Sequence, residues 1–136
     1  MVYRGAASVA NFVITNSRVK RALVVADSNI AVDNLAQGLI AAGLRVVRIG
    51  NPATVRPSLR EYTLQAQAAK HPAGIAAAKL RGDVSAVSTR GATSSGGKAQ
   101  EREVKQMKGD MWKRSEELQK VAEDAVISGS QAVVAT

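Results

Sequence analysis

Residues 22–35 read Ala-Leu-Val-Val-Ala-Asp-Ser-Asn-Ile-Ala-Val-Asp-Asn-Leu, an apolar run that meets a polar turn and opens at once into an amphipathic pattern. An uninterrupted apolar segment bounded by charge, Arg21 before it and Asp27 after it, fits a central parallel strand covered on both faces by helices. Ser28 or Asn29 stands where a helix N-cap belongs, and Val32, Leu35, Ala36, Leu39 and Ile40 recur at the spacing of one buried helical face. Gly43 supplies the stop, and residues 44–49 form a second apolar run interrupted only by Arg45 and Arg48. Strand, helix and strand in that succession predict an α/β fold with parallel strands joined by a right-handed crossover.

Around this unit the pattern is helical. Residues 6–17 carry Val9, Phe12 and Val13 at helix-compatible spacing, weakened by the β-branched Val13-Ile14-Thr15. After Gly50-Asn51-Pro52 the sheet pattern stops. Residues 57–70 place Leu59, Tyr62 and Ala66 on one side of a short helix ended by His71-Pro72, and residues 75–81 suit another turn or two. Residues 85–97 are rich in Ser, Thr and Gly and read as a loop. Residues 98–127 predict a long helix whose stripe of Val104, Met107, Met111, Leu118, Val121 and Ala125 is broken by Arg114. A last apolar run, residues 131–136, reads as a strand.

Nineteen Lys plus Arg against eleven Asp plus Glu give a net charge of +8, which favours polyanionic partners through counterion release. The absence of cysteine excludes thiolate metal sites and thiol nucleophiles. No apolar run approaches the ~20 residues that a bilayer demands, so no membrane partner is expected. Arg4, Arg18, Lys20 and Arg21 all precede the first acidic residue, Asp27, a bias also found in mitochondrial leaders.

In an open parallel sheet, ligands sit beyond the carboxyl ends of the strands, where turn amides and helix N-termini face solvent. Asp27-Ser28-Asn29 and Gly50-Asn51-Pro52 both fall there. Ser28 and Asn29 offer donors for a phosphate or ribose, although the plain role of either is to cap the helix. Asn51 belongs to the second turn. Among the basic side chains, Arg48 and Arg56 are best placed to line a groove. His71 is the sole histidine, which rules out a multi-histidine metal set, and it is expected at a cap or in solvent. Trp112 adjoins Met111 and is expected to anchor a packing face rather than stack on a base. Residues 91–98 imitate a phosphate loop, but Ala92 stands where glycine is required and Ala99 follows where a hydroxyl is.

Residues 26–35, Ala-Asp-Ser-Asn-Ile-Ala-Val-Asp-Asn-Leu, resemble motif Ia of superfamily 1 helicases, whose form is close to Ala-Pro-Ser-Asn-x-Ala-Val-Asp-x-Leu. Only Asp27 departs, replacing proline. Residues 46–53, Val-Val-Arg-Ile-Gly-Asn-Pro-Ala, are similar to that family's Val-Val-Arg-Leu-Gly-His-Pro-Ala, with Tyr62-Thr63-Leu64 and His71-Pro72 at suitable places. The branch is the one that includes the nonsense-mediated decay and immunoglobulin-mu-binding helicases. The resemblance implies a partial RecA-like parallel sheet of the P-loop NTPase class with an inserted helical subdomain. Residues 1–56 would be core with motif Ia, residues 57–128 the insertion, and residues 129–136 the start of the next core strand. It implies that Ser28 and Asn29, and Asp33 after them, hold the backbone of single-stranded RNA or DNA, and that the parent protein uses ATP and magnesium.

The sequence contains no G-x-x-x-x-G-K-[ST] loop. A motif Ia half-site without that loop is expected to bind nucleic acid but not to hydrolyse ATP, with no catalytic residue, no metal and no cofactor of its own. The remainder of a helicase motor would be its partner. A free-standing basic α/β nucleic-acid-binding protein is the alternative, and a dimeric scaffold built on residues 98–127 ranks third. Nucleus or cytoplasm suits the family, with mitochondria behind them.

Overall fold

The computed structural model describes residues 4–91 and 97–136. Helix α1 (Arg4–Thr15), strand β1 (Ala22–Val25), helix α2 (Asn29–Ala41) and strand β2 (Val46–Arg48) open the fold. A 3-10 helix (Pro57–Tyr62) follows, then α3 (Leu64–Lys70), α4 (Pro72–Gly91), α5 (Lys98–Gly129) and β3 (Ala132–Ala135). The chain divides into two compact units, one formed by residues up to Gln67 together with Asp124–Thr136, the other by Ala68–Glu123.

The first unit is a mixed α/β body on a three-stranded parallel sheet of order β1-β3-β2. The strand–helix–strand unit is present, yet β1 and β2 do not touch. The last strand in sequence lies between them, pairing Ala22 with Ala132 on one side and Val46 with Ala132 on the other. Beneath one sheet face, Val24, Val46, Ala132 and Val134 meet Val32, Ala36 and Leu39 of α2 and Ala6, Ala10 and Val13 of α1. Burial of these Val and Leu side chains contributes about 1.5–3 kcal/mol each, the main favourable term holding the unit together.

Two sequence expectations change here. Strand β1 is an edge strand rather than a doubly covered central one: Leu23 is 71% exposed and Val25 61%. Alternation along a strand sends these two to the face opposite Val24, and no described element covers them there. On α1 the buried face runs through Ala6, Ala10 and Val13, while Phe12 turns outward. Small residues win because the helices approach closely, a Cβ built on Gly38 of α2 lying 2.7 Å from the Ala6 Cβ.

Helix α2 ends as expected. Gly43 takes φ +85°, and the amides of Gly43 and Leu44 donate to the carbonyls of Ile40 and Leu39, so the last turn is closed by a left-handed residue. The helix expected over 57–70 is instead two pieces. Thr63 between them is extended, buried, and bridged in parallel to Arg48.

The second unit is helical. Helix α4 runs through residues 85–91, which the sequence assigns to a loop; Val84 and Val87 sit half-buried and extend its face. Residues 92–96 of that expected loop lie outside the described residues. On α5 the buried positions are Ser115 and Ala122, flanked by half-buried Val104, Lys108, Met111 and Leu118. These follow three- and four-residue steps, but in a register one residue later than the expected stripe at three of its positions, leaving Met107 and Val121 in solvent. Arg114, the discordant member of the expected stripe, is exposed, and Ser115 takes the inward place.

Candidate nucleic-acid interface

Helix α2 begins at the carboxyl end of β1. Ser28 is extended, with φ −136° and ψ 150°, and its Oγ accepts the Ala31 amide at 3.2 Å. The structure therefore gives Ser28 the N-cap role weighed for it, which stabilises a helix by about 1 kcal/mol. Ser28, Asn29 and Ile30 are all exposed, so the first turn of α2 presents its amides and the positive end of its dipole to solvent. Asp27 is exposed beside them.

Behind this turn lies a buried polar network. Arg48, on β2, is fully buried; its Nε donates to Asp33 Oδ1 at 3.0 Å, its Nη2 to Asn29 Oδ1 at 3.0 Å, and its Nη1 to the Ile49 carbonyl. Asp33 is 4% exposed, and its second oxygen accepts the Arg56 amide at 3.0 Å. Arg56 in turn donates to Gln37 Oε1 at 2.7 Å and Asn34 Oδ1 at 2.9 Å. One guanidinium and one carboxylate thus join β2, the start of α2 and the chain entering the 3-10 helix. Gly50 makes room for it: its φ is +156°, and a Cβ there would lie 2.7 Å from Arg48 Nη1.

Arg48 and Asp33, which the sequence suggests as groups that meet nucleic acid, are thus buried and paired with each other. A guanidinium without solvent exposure, with all three nitrogens donating inside the protein, has no surface to offer a phosphate. Burying a charge is costly unless it is paired, and here each is the other's partner. Arg48, paired with Asp33, holds Asn29 through its Oδ1, and Asn29 remains an exposed residue. Asn51 is exposed, and its Oδ1 accepts the Ala53 amide at 3.0 Å in a tight turn. Arg56 is half-buried along one side. Ser28, Asn29, Asn51 and Arg56 thus line the carboxyl end of the sheet, with Arg48 and Asp33 beneath.

Sequence reading missed Asn34 and Gln37. Their spacing from Asp33 puts them on the polar side of α2, which is the available signal, but only the return of the chain at Arg56 gives that side a partner. Thr63 was also unforeseen. His71 behaves as expected of a capping residue, its Nδ1 accepting the Ala73 amide at 3.2 Å. Trp112 does not anchor a packing face as expected; it is 49% exposed. Ser28 and Asp33 are committed to a cap and an ion pair, and no group of three or more His, Cys, Asp or Glu that could hold a metal ion occurs among the described residues. No described helix is long and apolar enough to cross a membrane.

An exposed helix start at a strand end of a parallel sheet is where open α/β folds bind ligands. Residues 3–136 match the AAA domain family AAA_11, and the chain belongs to that family. Over 47 residues it is 45% identical to the DNA polymerase alpha-associated DNA helicase A of Schizosaccharomyces pombe (strain 972 / ATCC 24843), a match covering 35% of this chain and 7% of that protein. Both findings uphold the resemblance to a segment of a superfamily 1 helicase, and with the parallel sheet they point to a P-loop NTPase type of fold.

Proposed function

We propose that these residues belong to the first motor domain of an ATP-dependent superfamily 1 helicase and supply part of its grip on single-stranded nucleic acid. Ser28, Asn29, Asn51 and Arg56 contact the backbone of RNA or DNA, and Arg48 and Asp33 hold Asn29 and the Arg56 segment in place. The helical stretch within residues 57–128 is an inserted subdomain of that motor. ATP and magnesium belong to the complete protein, whose remaining motor elements are the partners of this segment, in nucleus or cytoplasm. Without a phosphate loop these residues alone hydrolyse nothing.

The observation that carries this reading is an exposed Asn29 whose Oδ1 is held by the buried Arg48, at a helix start whose free amides suit phosphate oxygens. Fluorescence anisotropy of a labelled oligonucleotide, repeated across a salt series, tests it. Binding should weaken as salt rises, with a log–log slope near −0.7 per phosphate neutralised on a single strand. Arg56→Gln should make that slope shallower by about 0.7. Binding that ignores salt, or an unchanged slope in the variant, would remove Arg56 from the interface. ATP turnover by the purified chain would sink the assignment of hydrolysis to the missing motor elements.

A further inference from the structure

Trp112, the only tryptophan in the sequence, lies on α5 in the helical unit, half in water. The Arg81 guanidinium of α4 sits over its ring, 5.7 Å from the centroid. Its indole Nε1 donates to Glu116 Oε1 at 3.2 Å. Arg81 Nε is buried without a hydrogen-bond partner, so the ring rather than an acceptor holds that end of the guanidinium. The indole is thus held by a cation against its ring and a carboxylate on its N–H, and about half of the residue remains exposed.

A Cβ built at Gly109, three residues before Trp112, would meet nothing within 4 Å. Lys105 and Lys108, at i−7 and i−4 from Trp112, stand on the same side of α5. A half-exposed indole braced by a guanidinium, with two lysines on the same side of its helix, matches what a nucleobase and its phosphates need. Stacking on an aromatic tolerates any base, and the lysines need only follow the backbone.

We propose that Arg81 and Trp112 form a base-stacking platform for single-stranded nucleic acid, with Lys105 and Lys108 meeting its phosphates. The proposal rests on the nucleic-acid reading above, and adds to it a second, aromatic contact on the helical unit. Because Trp112 is the sole tryptophan, its emission reports on this site alone.

The test titrates the whole chain with a short oligothymidylate, following Trp112 emission and the anisotropy of a dye on the oligonucleotide together. Emission should fall saturably in step with anisotropy, and Trp112→Ala should weaken binding about tenfold. Trp112→Phe, which keeps a stacking ring, should retain most of the affinity. Equal weakening in both variants would mark a packing defect and overturn the platform. Rising anisotropy with unchanged emission would place binding elsewhere, overturning the platform while the nucleic-acid reading stands. Equal quenching by a duplex would show a phosphate patch without stacking and overturn it too. No rise in anisotropy at all would end both readings.

Discussion

The two units solve burial in opposite ways. The α/β unit encloses a large charged side chain, Arg48, among Val and Leu residues, and every nitrogen of its guanidinium has an acceptor. The helical unit encloses small groups, Ala68, Ala77, Ser115 and Ala122, and leaves Ile75, Met107, Trp112 and Val121 exposed. Small buried residues bring helix backbones close but remove little apolar area from water, so that unit draws less stability from the hydrophobic effect. The first arrangement suits a contact surface that must hold one geometry. Both units leave large apolar side chains on the surface, Leu23 and Val25 in the first and Trp112 and Val121 in the second, so the difference lies in what each encloses.

The sharpest way to break this contrast is to remove one half of the buried pair. Asp33→Ala strands the Arg48 guanidinium without its carboxylate and should cost about 3–5 kcal/mol. Urea denaturation checks the loss, and a change under 1 kcal/mol would show that the pair is not buried as described. Gly38→Ala comes next. The added methyl meets the Ala6 Cβ and should destabilise by about 1–3 kcal/mol through overpacking, visible as a lower thermal midpoint. Ser28→Ala removes the cap of α2 and should cost about 1 kcal/mol by the same denaturation assay. In the helical unit, Met107→Gln and Val121→Gln should each shift stability by no more than about 0.5 kcal/mol, since both side chains are already in water. Hydrogen exchange sharpens the comparison across the chain: amides of β3 should exchange more slowly than those of α4.

Much of the α/β unit was legible in residues 22–49, because strand, cap, amphipathic face and glycine stop each leave a local signal. The position of β3 was not. Its apolar run predicts a strand, but pairing between β1 and β2 is a long-range choice that no local pattern encodes. The edge exposure of Leu23 and Val25 follows from that choice and was hidden for the same reason. In the helical unit the register of α5 misled, since Met107 and Val121 look like core and Ser115 does not. Close helix approach favours the small residue, a preference invisible until the partner is in place. The sequence placed Ser28, Asn29 and Asn51 in the turns where the structure has them, but it did not show the burial of Arg48. A basic residue in a strand reads as surface until Asp33, an entire helix turn into α2, is seen to meet it.

The account stands on the claim that the turns at the carboxyl ends of β1 and β2 hold a single strand while the network beneath them stays closed. Amide chemical-shift mapping of the 15N-labelled chain with a short single-stranded oligonucleotide tests that most directly. The account predicts saturable shifts at Ser28, Asn29, Ile30, Asn51 and Arg56. Saturable binding that leaves those amides unmoved would contradict it.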